Sequence, residues 1–123
     1  MKKFLIDSVI LIDHLNDISK ATNWLRKNGN TNSVISVITR AEILVGTSTK
    51  NKLKITAWLD SFECIEIDKE ITDLAALCRN KYKIKLPDAF QSAIALKKSL
   101  ALVTRNTKDF NTKKGFVKIP YKV

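Results

Sequence analysis

Glycine and proline are scarce, three and two among 123 residues. A chain so poor in both holds no Gly-rich phosphate loop and no linker. Neither G-x-G-x-x-G nor a P-loop occurs, which argues against a nucleotide cofactor. Cys64 and Cys78 are the two cysteines. Without C-x-x-C spacing they point to neither a disulfide framework nor a thiolate zinc site, and each reads as a small buried apolar residue. His14 is the single histidine. A Ser-His-Asp arrangement would depend on it, yet no G-x-S-x-G is present, so His14 is expected at the surface or in packing. No apolar run reaches the ~20 residues that cross a bilayer. The opening MKKFLIDS starts like a signal peptide, but Asp7 and Asp13 interrupt the apolar window and no small-residue cleavage site follows. The expectation is a cytoplasmic protein with no membrane partner.

Acids are also in short supply. Lys and Arg number 22 against 12 Asp and Glu, a net charge of +10. That balance favours an anionic partner, nucleic acid first, with an acidic protein or a merely lysine-rich surface as alternatives. The excess is mostly Lys, which suits phosphate attraction better than base reading.

What is present is an apolar fraction of 45%, enough for a core, in a chain the length of one ordinary domain. With no repeat and no low-complexity tract, residues 1–123 read as a single domain. Residues 3–6 read as a strand and 8–16 as a helix. Ser19 can cap a helix over 20–28, with Ala21, Trp24 and Leu25 on one face and the NGN at 28–30 ending it. SVISVIT (33–39) holds a strand passing into a helix over 39–46 that stops near Gly46. A helix over 50–61 spaces Ile55, Trp58, Leu59 and Phe62 at i, i+3, i+4 and i+7, and ECIEI (63–67) alternates like a strand. The helix over 69–82 puts Ile71, Leu74, Ala75, Cys78 and Tyr82 on one stripe. Pro87 suits the first turn of a helix running to about Ser99, followed by strands ALVT (101–104) and FVKI (116–119). Strands alternating with helices predict an α/β fold, a mostly parallel sheet covered on both faces. Ligand sites in such folds lie beyond the carboxyl ends of the strands.

Four acids fall at that edge. Asp7 follows the first strand, Glu42 sits one turn into the helix after the second, Asp88 opens the helix begun by Pro87, and Asp109 follows ALVT. Three have apolar flanks: LIDSV, RAEIL and LPDAF. A buried, unpaired charge costs several kcal/mol, so Asp7 among apolar residues needs a partner. Each acid also has a plain structural role open to it. Asp88 suits the positive end of a helix, Asp7 can cap the next helix, and Asp109 can form a turn. Clustered carboxylates repel, by roughly 3 kcal/mol for two charges about 5 Å apart at an effective dielectric near 20. An oxygen-only site with open positions suits Mg²⁺ or Mn²⁺. Carboxylate-held divalent metal on a basic surface suits phosphodiester hydrolysis.

These segments resemble the motifs of the PIN-domain ribonucleases, most closely the VapC-type toxins of bacterial toxin–antitoxin pairs. FLIDSVILIDHL resembles the opening motif, TRAEILVG the second, KLPDAFQSAIAL the third and LVTRNTKDF the fourth, in order and across nearly the whole chain. The resemblance implies a three-layer α/β/α sandwich, Mg²⁺- or Mn²⁺-dependent cleavage of RNA, a homodimer, and neutralisation by a cognate antitoxin. It makes Asp7, Glu42, Asp88 and Asp109 the acidic metal site, with Ser8, Thr104 and Asn106 in support. Ser8 stands where the family often has Thr, Val9 where it often has Asn, and Asn106 where many members carry an acid. Asp7 and Asp88 are then expected as principal ligands, with Glu42 and Asp109 binding a second ion or activating water. Arg40 and Arg105 are expected to hold the RNA backbone.

Two other readings compete. A phosphatase of the haloacid-dehalogenase type needs a second Asp two residues after the first, where Val9 stands. A non-catalytic RNA- or protein-binding domain that keeps the fold is the stronger alternative.

Overall fold

The computed structural model describes residues 1–108, 110 and 115–123. Strand β1 (Phe4–Ile6) leads through Asp7 into α1 (Ser8–Leu15), followed by α2 (Ser19–Asn32), β2 (Ser33–Ser36) and α3 (Val37–Val45). A short 3-10 turn (Thr49–Asn51) enters α4 (Lys52–Asp60). Then come β3 (Glu63–Ile65), α5 (Lys69–Tyr82), α6 (Leu86–Lys98), β4 (Ala101–Val103) and β5 (Val117–Lys118).

The five strands form one sheet in the order β3-β2-β1-β4-β5, every pairing parallel. Parallel strands need crossovers, and here helices supply them on both faces. Side chains alternate across the sheet. Leu5, Val34 and Leu102 face α5 and α6, joining Ile71, Ala75, Cys78, Ala93 and Ile94. Ile6, Ile35 and Val103 face the other layer, joining Ile10 and Leu11 of α1, Ile43 of α3 and Leu59 of α4. The three-layer α/β sandwich expected from the strand–helix alternation is the fold observed. Among the described residues, no helix is long and apolar enough to cross a membrane.

Helix stripes were more legible than boundaries. The stripe of α5 is buried or packed as predicted, and Asp68 caps it by accepting from Ile71 N at 2.8 Å. In α4, Leu59 is buried with Ile55 and Trp58 packed beside it, and Phe62, just past the helix end, is buried too. Helix α2, however, does not stop at NGN. It runs through Gly29 to Asn32 and straight into β2. Gly29 is buried within the helix, with the Phe62 ring 3.8 Å from where its Cβ would stand. Ser33 closes the end, its Oγ donating to Asn28 O at 2.7 Å. Nor does Ser19 cap α2: Ile18 holds that position, with no side-chain cap bond. Helix α3 begins two residues before the predicted start, because Ser36 Oγ accepts from Thr39 N at 3.2 Å and starts the helix at Val37. The strand predicted over 63–67 ends at Ile65, and that over 116–119 shortens to Val117–Lys118. Both are edge strands, where short length and exposed charge (Glu63, Lys118) discourage pairing with another chain.

Candidate active site

From β1 the chain runs to β2 and β3 on one side; β4 and β5 lie on the other. The order therefore switches between β1 and β4, the place where such sheets open a crevice beyond their carboxyl ends. Ile6 pairs with Val103, so the next residues, Asp7 and Thr104, meet at that point. Asp7 N donates to Val103 O at 2.9 Å, and Thr104 Oγ1 donates to Asp7 Oδ2 at 2.8 Å.

Asp7 is 6% exposed. It is the N-cap of α1, its Oδ1 accepting from Ser8 N at 2.9 Å. Gln91 Nε2, from α6, donates to the same oxygen at 3.4 Å. A carboxylate offers about four acceptor positions. Among the described residues three are filled, all by neutral donors, leaving one on Oδ2. Desolvation dominates over these bonds and pushes the Asp7 carboxyl above the usual carboxylate range. The residue thus serves as the cap that local sequence allows, and it also carries a charge that no described cation neutralises.

Glu42 reaches the same place from α3. Its carboxylate accepts from the Ser8 side chain, and it too is pushed up, first by desolvation and then by the negative charge of Asp7. Asp88, in the first turn of α6, stands across from them. Asp7, Ser8, Glu42 and Asp88 all line an open cleft of about 480 Å³. Lys85, Arg105, Asn106 and Lys108 line it as well. Asn106 N donates to Thr104 Oγ1 at 3.0 Å, tying its loop to the hydroxyl that holds Asp7. Asp109 lies outside the described residues.

The two arginines are committed elsewhere. Arg40 pairs with Asp60 at 2.8 Å and does not line the cleft. Arg105 grips Asp13 through Nε at 2.5 Å and through an NH₂ group at 2.7 Å. Asp13, on α1, is 2% exposed and also accepts from the Tyr121 hydroxyl at 2.8 Å. Its hydrogen bonds from Arg105 hold it below the usual carboxylate range, and burial pushes the Tyr121 hydroxyl well up. His14 is a packing residue, its Nδ1 2.8 Å from Thr22 Oγ1 and its ring against Trp58.

Sequence reasoning missed Gln91. It is 1% exposed and donates to Thr39 Oγ1 at 2.8 Å while accepting from Ser36 Oγ at 2.7 Å. It ties β2, α3 and α6 to Asp7. The only signal was a polar residue on the otherwise apolar face of DAFQSAIAL.

The donor chemistry fits a hard divalent cation: oxygen ligands only, a lone pair left on Asp7, and two carboxyls raised by desolvation, Glu42 further by the charge of Asp7. One ion is not enclosed by them, since among the described residues no three His, Cys, Asp or Glu side chains are grouped to hold a metal.

The PIN domain family model matches residues 4–115. A chain of a toxin–antitoxin complex from Klebsiella pneumoniae is 34% identical with a TM-score of 0.90, covering 98% of this chain and 100% of that one. Two others share the fold at lower identity. A chain of FitAcB from Neisseria gonorrhoeae is 22% identical, TM-score 0.80, over 98% of this chain and 99% of that one. A chain of DNA-bound VapBC from Salmonella typhimurium is 20% identical, TM-score 0.76, over 89% and 91%. No curated protein matches. A family match of this extent, at a cleft built from the residues that resemble the family's motifs, means that the chain belongs to the PIN-domain family.

Proposed function

We propose that this chain is a Mg²⁺- or Mn²⁺-dependent endoribonuclease, working as one domain in the cytoplasm as the toxin of a toxin–antitoxin pair. Membership of a family whose members are generally nucleases supports the activity. The 34% identity to a chain of a toxin–antitoxin complex supports the biological role. The observation that carries the reading is Asp7, a buried carboxylate at the switch point, uncompensated by any described cation and facing a cleft shared with Glu42 and Asp88.

Asp7 and Asp88 would hold the ion, with Glu42 and Asp109 completing the set or serving a second ion. When bound, such an ion polarises the phosphoryl oxygen and lowers the pKa of water. The protein's own part is positional. Ser8, Thr104 and Gln91 fix the Asp7 carboxylate in one orientation. Glu42, with its raised pKa, is suited to take the proton of the attacking water. Lys85 and Lys108 draw the phosphodiester into the cleft. A cognate antitoxin and a second copy of the chain are the proposed protein partners. The non-catalytic alternative draws on the dispersed placement of the described acids, and one experiment decides between the two. Purified protein should cleave single-stranded RNA in Mg²⁺ or Mn²⁺ and stop in EDTA, and Asp7→Asn and Asp88→Asn should be inactive but folded. Full cleavage in EDTA, or by either variant, contradicts the mechanism. A folded wild type that cuts no RNA favours the binding-domain reading.

A further inference from the structure

The cleft does not end at its acids. A second groove, of about 500 Å³, is lined by Arg79, Asn80, Lys83, Ile84 and Lys85. Lys85 lines both. The two are neighbours at the corner where α5 turns into α6.

Helix ends favour two of these three cations by charge, Arg79 and Lys83, and disfavour the third, Lys85. Arg79 lies in the last turn of α5, where a helix favours positive charge. Lys83 is the C-cap of α5 in the left-handed conformation, φ 55° and ψ 48°. Glycine or asparagine is the favoured residue there, and lysine has no short polar group to ease the strain. Lys85 is the N-cap of α6 and makes no side-chain cap bond. Ser, Thr, Asp or Asn is preferred there, and the helix's positive end repels a cation. Lys83 therefore stands against the backbone preference of its position and Lys85 against both the cap and the charge preference of its own, and both lysines line one groove. Residue choices that oppose local structure concentrate where function demands them.

The groove also holds the charge that the arginines of the cleft region do not offer. Arg40 is paired with Asp60, and Arg105 with Asp13. Among the described residues, Arg79, Lys83 and Lys85 enter no ion pair. Among the described residues, no acid lines the groove. A basic groove that shares Lys85 with the cleft is suited to track a polynucleotide backbone.

We infer that this α5–α6 groove is a second subsite, seating phosphates of the single-stranded RNA that flank the scissile one, with Lys85 bridging the two sites. The inference rests on the ribonuclease reading. Its test is steady-state cleavage by the full chain in Mg²⁺ across a salt series. The substrates are a long single-stranded RNA and an oligonucleotide just spanning the cleft. Arg79→Gln/Lys83→Gln should raise KM for the long RNA about tenfold at low salt while leaving kcat within about twofold. Its salt slope should fall by about 1.4, since each single-strand phosphate contact contributes about 0.7. The short oligonucleotide should be cleaved as by wild type. The control Lys50→Gln/Lys52→Gln removes the same charge from residues that line neither groove, and it should change neither KM nor slope. An unchanged KM and slope for the long RNA would overturn the subsite, as would an equal effect from the control pair or an equal loss on the short substrate. Normal RNA cleavage with weakened binding of an acidic protein would assign the groove to that partner instead. If wild type cleaves RNA and the groove variant matches it, the subsite alone falls; if wild type cleaves none, the ribonuclease reading falls with it.

Discussion

At Asp7 the protein holds a buried carboxylate that no described cation neutralises. The flanking apolar residues in LIDSV made that tension visible in the sequence, and Thr104 and Ser8 entered as its supports through the resemblance to the PIN-domain motifs. Gln91 was not, because a glutamine inside a helical pattern is ordinary until its three partners, far apart in the chain, are known. The tension has a measurable sign. Desolvation raises the Asp7 pKa in the folded protein above that of the unfolded chain. Between those two values the native state holds more protons than the unfolded chain, so stability falls as pH rises through that window. Metal-free Asp7→Asn should therefore melt higher than wild type at about pH 7, with the gap closing towards about pH 4. The asparagine keeps the Ser8 bond and can donate to the Thr104 hydroxyl. A variant that melts lower at neutral pH would show that the carboxylate is a structural cap and not a strained ligand. Gln91→Met should do the opposite. It leaves the Ser36 hydroxyl without its acceptor and removes the donor to Thr39 and Asp7, and unsatisfied groups cost about 1–3 kcal/mol each. Thermal melts should show a loss of about 2 kcal/mol or more, and RNA cleavage should fall with it.

Between elements, the cleft loop is fastened from two sides. Thr104 and Asn106 bind it to β1 through Asp7, while Arg105 binds it to α1 through Asp13, with Tyr121 closing the triad from beyond β5. Asp13 entered the sequence reading only as an interruption of an apolar window. Its partners lie 92 and 108 residues away, and periodicity cannot see such a contact. Asp13→Asn should cost about 2–3 kcal/mol, less than the range for a fully buried pair because Arg105 is partly solvated. Tyr121→Phe, which leaves the ion pair intact, should cost no more than about 1 kcal/mol. Denaturant titrations separate the two, and equal losses would mean that the hydroxyl matters as much as the ion pair. His14 sits on the same helix without sharing this role. His14→Ala should keep RNA cleavage within about tenfold of wild type, since positioned acid–base groups typically contribute about 10²–10⁴-fold. A thousandfold loss in a folded variant would make it a proton-transfer group. The helix ends show the same limit of local reading. NGN reads as a stop, but the helix runs on through the buried Gly29 to Asn32.

For the whole molecule, the alternation of strands and helices was enough to predict the layers and the edge that bears chemistry. It was not enough to give strand order, which decides that β1 and β4 meet and that Asp7 faces Thr104. Nor did it show which cations are free: the two arginines nearest the motifs are paired, and the positive field of a +10 chain reaches the cleft through lysines instead. The central claim is that the cleft acids form a divalent-metal site, and Mn²⁺ binding to the purified chain, titrated by calorimetry, tests it most directly. Wild type should bind Mn²⁺ with an affinity that weakens on acidification, since protons compete for Asp7 and Glu42 above the usual carboxylate range. Asp7→Asn and Asp88→Asn should each lose most of that affinity, while Asp60→Asn, which only frees Arg40, should keep it. Undetectable binding by wild type, or equal binding by Asp7→Asn, would contradict the account.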